Sequence, residues 1–542
     1  EPFFIYSIAA NFALFGVSTW ALRSTASFYA ALTVAVFWLM LRRLRGPAIA
    51  WIATLGLLFF RWHVHFSRTS FRTITVALFL CLVILFIDRA VRGRRRRDWA
   101  LAGLFLGAGF YTYLSFRFAP FILALWGLAA WREGRRPDAM PDAARGARPT
   151  ARSPMRGVAL ALAVAAVTFL PLGIDYVKNP FHFRGRLDEV SLFDQGWMQG
   201  LRAVGVNALA NALQFAIPGW GDHVPKHNIP FRPIFDPVSG LLFFLGIGVL
   251  GWQAWQGGRG GHCGLSGQKG WNEWKPSAPG WPVLALAWLI LMLMGSVFSF
   301  GAPNLLRTVA AAPAAIWIYA EGLSATAAEL CRWLRPRRPE ALRRWLVAGA
   351  LTWFALWQMA EYFIVYPKAE GVWQNFNYFE TDLGRWMRAA HAPASGPSDR
   401  SGQSGGNDGF GLTGLAGETG VKAARFDLGK DTLWIGSQIL DHPTVRFESG
   451  GAKPAGARYL SMPEALTHDA TTSGGAHLIL ATSFNGLLPF LMKHFPQGEV
   501  VHEFELPDGS ILALFYRIPA EQLLDAAAAA RVWGRGPTPI PS

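Results

Sequence analysis

The stretch TITVALFLCLVILFI, Thr73–Ile87, carries no charged side chain, and its reading decides the fold. A helix rising 1.5 Å per residue needs about 20 mostly apolar residues to cross a hydrocarbon core of roughly 30 Å. The apolar run around this stretch extends over 73–90. Working outward, further runs of the same kind occupy 24–42, 47–65, 98–115, 118–131, 156–176, 237–255, 280–300, 302–322 and 345–366. Of these, 118–131 is short, and 98–131 also reads as one bent hairpin. Gly and Pro inside the runs do not argue against spans, because both are commoner in membrane helices than in soluble ones. Composition points the same way: the 542 residues are 52% hydrophobic and 16% charged, against about 25% charged in soluble domains. The fold class expected is therefore an all-α polytopic membrane bundle of about ten spans.

The charge distribution tests that reading independently. Net charge is +16, from 51 Lys+Arg and 35 Asp+Glu. Such a balance fits a nucleic-acid binder only if the basic residues share one accessible face. They do not: loops 42–46, 88–98, 132–156, 256–279 and 323–344 hold 25 of the 51, and these are alternate loops between the runs. By the positive-inside rule all five are cytoplasmic, which puts 1–23 and 367–542 outside. No nucleic-acid partner is expected, and the lipid bilayer is. Cys81, Cys263 and Cys331 lie in a span or on the cytoplasmic side, so no external disulfide framework is expected.

The chain opens Glu1-Pro2 without Met, so truncation or processing is expected, with at least one span before Glu1. Residues 1–23 place apolar side chains at near-helical spacing and read as an outer interfacial helix. Residues 24–366 form the transmembrane region, with a long outer loop at 177–236 that exceeds a mere connection. An outer helical connection at 367–390 leads to a Gly- and Ser-rich linker at 391–420. Beyond it, strand-like runs at 433–437, 477–482, 499–505 and 510–517, with a helical run at 484–494, predict a small α/β domain over 421–542 on the outer side. No nucleotide-loop, nucleophile-elbow or metal-ligand spacing appears in it.

Arginines on the outer side run against the charge bias. Arg68 and Arg72 sit between two spans and, four apart, would share a face if the next helix starts early. Arg117 follows Tyr111-Thr112-Tyr113, and Arg307 follows Pro303-Asn304. The planar guanidinium gives a phosphate two parallel charge-assisted hydrogen bonds, and several at the membrane edge suit a lipid phosphate at headgroup depth. The competing reading of each is snorkelling to the interface. Within the long loop, Gly221-Asp222-His223-Val224-Pro225-Lys226-His227-Asn228-Ile229-Pro230-Phe231-Arg232-Pro233 crowds donors between prolines. It matches no zinc template, so no metal is expected. It reads as a rigid wall for a polar substrate, or as an ordered loop satisfied by its own hydrogen bonds. Asp222 is the internal candidate for an acidic catalytic residue, with an orienting role as the alternative.

Glu1-Pro2-Phe3-Phe4-Ile5-Tyr6, then Leu14-Phe15-Gly16-Val17 and Trp20-Ala21-Leu22-Arg23, resembles the stretch after the first outer loop of bacterial GT-C glycosyltransferases. The branch in question includes the protein O-mannosyltransferases and the aminoarabinose transferase of lipid A, that is, enzymes like glycosyltransferase family 39. Phe66-Ser67-Arg68-Thr69-Ser70-Phe71-Arg72, Tyr111-Thr112-Tyr113 with Arg117 and Pro120, and Asn179-Pro180-Phe181 with Arg184 are similar to the same group. So are His227-Asn228 with Pro230 and Pro233, and Asn304 through Arg307 with Pro313. The resemblance covers about residues 1–380. It implies a membrane enzyme that transfers a sugar from a polyprenyl-phosphate donor to an unidentified acceptor at the outer face of the bacterial cytoplasmic membrane. Inversion at the anomeric carbon is implied, with neither metal nor cofactor. An acidic residue of the first outer loop would be the base, and that loop lies before Glu1. Substrate-binding roles fall on Glu1, Arg68, Arg72, Tyr113, Arg117, His227, Asn228 and Arg307.

Two other classes compete. A transporter or flippase for lipid-linked sugars predicts charges deep within spans and an internal repeat; few such charges and no clear repeat are present. A non-catalytic scaffold with an outer binding domain is the third.

Overall fold

The computed structural model describes residues 2–134, 152–188, 192–193, 196–259, 280–369, 371–376 and 381, and further on 432–434, 457–458, 476–481, 487–505 and 511–533. Two compact units divide at Ala369/Glu370. The linker expected at 391–420, most of the connection at 367–390, and most of loops 132–156 and 256–279 lie outside the described residues.

The regular elements described in the first unit are all helices. Among the described residues five helices are long and apolar enough to cross a membrane: Thr19–Arg45, Ile74–Gly93, Leu114–Glu133, Met155–Lys178 and Pro237–Gln256. A sixth is the pair Pro47–Phe59 and Arg61–Arg68, bent by 53°. Sequence reads 47–65 as one run. The break follows from Phe60, which is extended (φ −70°, ψ 112°), and from the Arg61 amide, which donates to Gln358 Oε1 at 3.0 Å. A side chain that satisfies a backbone group inside a helix is a recognised cause of a kink.

The other four expected spans are also helices, with different bounds. Arg96–Gly109 has 14 residues, about 21 Å at the helical rise. It stops where Phe110–Tyr113 turn into the short 3-10 helix Leu114–Phe118, which runs into Ala119–Gly134. Trp281–Val297 has 17 residues. The run 302–322 becomes helical first as the turn Leu305–Thr308, then as Ala312–Leu334. Pro339–Ala360 continues as a π-turn, Glu361–Val365. The amino-terminal helix, Pro2–Phe15, ends at Gly16, whose φ of +79° suits glycine. Ser18 then caps the next helix, accepting from the Ala21 amide at 3.1 Å.

Packing is tightest where glycines face carbonyls. A Cβ on Gly322 would lie 1.9 Å from Leu242 O, and one on Gly246 2.1 Å from Ile318 O. Helices Pro237–Arg259 and Ala312–Leu334 therefore touch backbone to backbone, as small residues permit in membrane bundles. Beside this contact, Phe60, Phe235, Tyr319 and Phe354 stack with centroids 5.2 to 6.1 Å apart.

Ion pairs gather the basic loops at one end of the helix Thr19–Arg45. Arg45 meets Glu321 through both carboxylate oxygens, at 2.6 and 2.7 Å, and lies 3.7 Å over the Trp281 ring. Asp88 accepts from Arg43 at 2.8 Å and Arg92 at 2.7 Å. At the opposite end, Ser27 Oγ donates to Ser67 O and Ser70 Oγ to Leu22 O, each at 2.9 Å.

The second unit contains a five-stranded sheet: β1 Thr432–Trp434, β2 Ala457–Arg458, β3 Ala476–Ala481, β4 Glu499–Glu505 and β5 Ile511–Ile518, in the order β2-β1-β3-β5-β4. β1 is parallel to both neighbours, while β3, β5 and β4 pair antiparallel. Helices Leu487–His494 and Ala526–Trp533 accompany it, and Leu478, Leu491, Phe495, Tyr516, Ile518 and Ala529 form its core. The described parts of the runs 433–437, 477–482, 499–505, 510–517 and 484–494 fall on these elements; 435–437, 482, 484–486 and 510 lie outside the described residues. The two-residue β2 is too short for any periodicity to reveal.

Candidate functional site at one end of the helical unit

The segment 217–236 meets residues 60–72, 299–308 and 361–366 at one end of the bundle. Its centre is a narrow backbone turn. The amides of Gly219 and Gly221 both donate to Phe231 O, at 3.0 and 3.3 Å, and the Phe231 amide donates to Asp222 O at 3.1 Å. A Cβ on Gly221 would lie 1.9 Å from Arg232 O, so only glycine allows the two passes to approach this closely. Asn228 Nδ2 closes the turn from within, donating to Asp222 O at 3.2 Å and Arg232 O at 2.8 Å.

Asp222 is fully buried (0% exposed) and joins three segments. Its Oδ1 accepts from the Val224 amide at 2.9 Å. Oδ2 accepts from the Leu305 amide at 2.7 Å and from His227 Nδ1 at 3.2 Å. A carboxylate so enclosed and so fully bonded has no open approach for an acceptor hydroxyl. Of the two roles expected for Asp222, this enclosure suits the orienting one. Its bond to Leu305 holds the turn in which Asn304 Oδ1 accepts from the Arg307 amide at 3.0 Å.

The arginines take separate seats. Arg68 ends the helix Arg61–Arg68 and lies over Tyr362 and Phe363, 5.6 and 5.3 Å from their centroids. Arg72 lies in the turn before Ile74, 5.9 Å over Tyr113. The next helix begins only at Ile74, so the early start on which a shared face depended does not occur. Arg307 Nη1 donates to Ser299 Oγ and, at 2.7 Å, to Phe300 O. Arg117 meets the start of the 177–236 segment, 4.2 Å over Phe183, and lies 5.6 Å over Tyr176. Glu1 lies outside the described residues.

Several members of the site are not among the sequence candidates. His65 Nε2 donates to Lys226 O at 2.9 Å, and Lys226 Nζ sits 5.9 Å from the Phe71 centroid. Arg232 pairs with the buried Glu361 at 3.1 Å, and Tyr366 donates to Pro225 O at 2.7 Å. Arg61 is buried and donates through Nη2 to Pro233 O at 2.7 Å, while its Nη1 has no hydrogen bond to the described residues. Arg61, His65, His227, Asn228, Tyr362 and Tyr366 line a cavity of about 10 Å³, the size that one water requires. One signal could have found Arg61: it is a cation inside the apolar run 47–65, where a charge is expensive. Tyr362 and Tyr366 carry no comparable mark. Among the described residues no three His, Cys, Asp or Glu side chains gather as metal ligands.

Residues 1–139 match the family model described as dolichyl-phosphate-mannose-protein mannosyltransferase. No curated protein matches the chain. Among solved structures the chain is similar to ArnT from Cupriavidus metallidurans bound to undecaprenyl phosphate, at 14% identity and a TM-score of 0.47, over 95% of this chain and 87% of that one. It is also similar to the oligosaccharyltransferase AglB from Archaeoglobus fulgidus in complex with an inhibitory peptide and a dolichol-phosphate. There the identity is 14% and the TM-score 0.42, over 96% and 68% of the two chains.

Proposed function

We propose that this chain is an integral membrane glycosyltransferase, which moves a sugar from a polyprenyl-phosphate donor to a hydroxyl of a lipid, glycan or protein, with inversion. The reaction takes place at the outer face of the cytoplasmic membrane. The observation that carries the reading is the cationic end of an apolar bundle. Segments bearing Arg61, Arg68, Arg72, Lys226 and Arg307 are tied together there by Asp222–Leu305 and His65–Lys226. Cations set over aromatic faces at membrane depth fit an anionic headgroup, and guanidinium forks fit phosphate. Their chemical contribution is to stabilise the charge that grows on the departing phosphate. The family-model match over residues 1–139 supports the same class. In this reading the six long crossings and the four shorter or interrupted helices make ten spans. The loops joined by Arg43, Arg45, Asp88 and Glu321 are cytoplasmic, and the second unit is an outer domain. Arg68, Arg72, Tyr113, His227, Asn228 and Arg307 contact the donor.

The test uses the full chain in lipid nanodiscs with undecaprenyl phosphate as probe and undecaprenol as control, read by tryptophan fluorescence. Binding of the phosphate but not the alcohol is expected. No binding of either overturns the reading. Arg72→Ala and Arg307→Ala should each lower sugar transfer on the order of 10²-fold, as loss of one charge-stabilising contact does. Wild-type rates with normal membrane insertion would reduce both arginines to interface anchors.

A further inference from the structure

Asp222 and His227 form a pair whose geometry exceeds what loop closure needs. The carboxylate accepts two backbone amides, from Val224 and Leu305, so it is an acceptor toward the imidazole and His227 carries its proton on Nδ1. In the neutral imidazole that assignment leaves the lone pair on Nε2, with a fixed direction, the arrangement by which a carboxylate readies a histidine to take a proton. Nε2 makes no hydrogen bond to the described residues and is not among the sealed polar atoms. The side chain is 10% exposed. Its ring packs 6.4 Å from Phe66 and 6.3 Å from Phe71, in the segment that carries Arg68 and Arg72.

We propose that His227 is the proton acceptor for the attacking hydroxyl and that Asp222 is its positioning residue. This rests on the transfer reaction proposed above, and it gives the one proton that leaves the hydroxyl a destination within the described residues. As the acceptor oxygen bonds to the anomeric carbon, the bond from that carbon to the phosphate oxygen breaks. Its electron pair goes to the phosphate, and the hydroxyl proton passes to His227 Nε2. The Leu305 bond sets the same carboxylate against the turn of Arg307, so base and phosphate-binding arginine keep a common register.

The experiment uses the full chain in nanodiscs with ¹⁵N-labelled histidine, His227→Gln identifying the resonances. A protonated Nδ1 and an unprotonated Nε2 are expected, with Nε2 shifting on addition of undecaprenyl phosphate but not of undecaprenol. Asp222→Asn should erase the tautomer preference. His227→Gln should lower kcat of sugar transfer on the order of 10²-fold or more, as loss of a base does. Phosphate binding with an unmoved Nε2, or an unchanged kcat in His227→Gln, overturns the proposal and leaves the transferase reading standing. Failure of wild-type protein to bind the phosphate overturns both. Should Asp222→Asn not fold, His227→Gln decides alone.

Discussion

At the scale of single residues the molecule makes two different uses of buried charge. Asp222 is surrounded by donors, whereas Glu321 is matched to one cation. Glu321 accepts both Arg45 nitrogens and the Trp317 indole N–H at 3.1 Å, and Trp281 covers the guanidinium. Removing one partner of such a pair leaves the other buried and uncompensated, at a cost of about 3–5 kcal/mol. Glu321→Ala is therefore expected to lower the thermal midpoint in detergent sharply. Arg45→Met with Glu321→Leu should recover most of the loss, because a well-packed apolar pair substitutes for an ion pair. Equal losses in the single and double variants would show that Trp281 packing, not charge, holds this end.

At the scale of elements the decisive contacts are close backbone approaches. Gly322→Ala forces a methyl onto Leu242 O, and separating those helices strips dispersion contacts along both. We expect a loss on the order of 2 kcal/mol, in the range of overpacked cores. Gly251, on one of the same two helices, has none of the described residues within 4 Å of its Cβ position. Gly251→Ala should be neutral or stabilise by up to about 1 kcal/mol through helix propensity. Urea or SDS titration of the two variants compares them directly, and equal effects would refute the packing argument. These glycines also mark what sequence could convey. Apolar runs and alternating loop charge locate the helices, because both signals are local and additive along the chain. The break at Phe60 is invisible, since its cause is Gln358 from the far end of the unit. The site behaves likewise. Arg68, Arg72, Arg307 and the 221–233 loop stand out as polar groups in apolar surroundings. Their joining by Asp222 to Leu305, 83 residues away, depends on a contact between segments that no spacing encodes.

At the scale of the whole molecule the question is which way the bundle faces. The +16 net charge is not spread evenly: Arg43, Arg45, Arg89 and Arg92 pair at one end with Asp88, Asp98 and Glu321. The cations proposed for phosphate lie at the other. Charge bias orients membrane proteins through the loops that stay behind in the cytoplasm, so the end rich in paired arginines should face inward. A cysteine-accessibility experiment decides this. With Cys81, Cys263 and Cys331 replaced by serine or alanine, a single cysteine is placed at exposed Arg95 or exposed Lys178. An impermeant maleimide added to intact spheroplasts should label Lys178→Cys and spare Arg95→Cys until the cells are lysed. The opposite pattern would put the arginine site in the cytoplasm, and a lipid-phosphate donor presented at the outer leaflet could not reach it. The orientation and the proposed reaction therefore stand or fall on the same two positions.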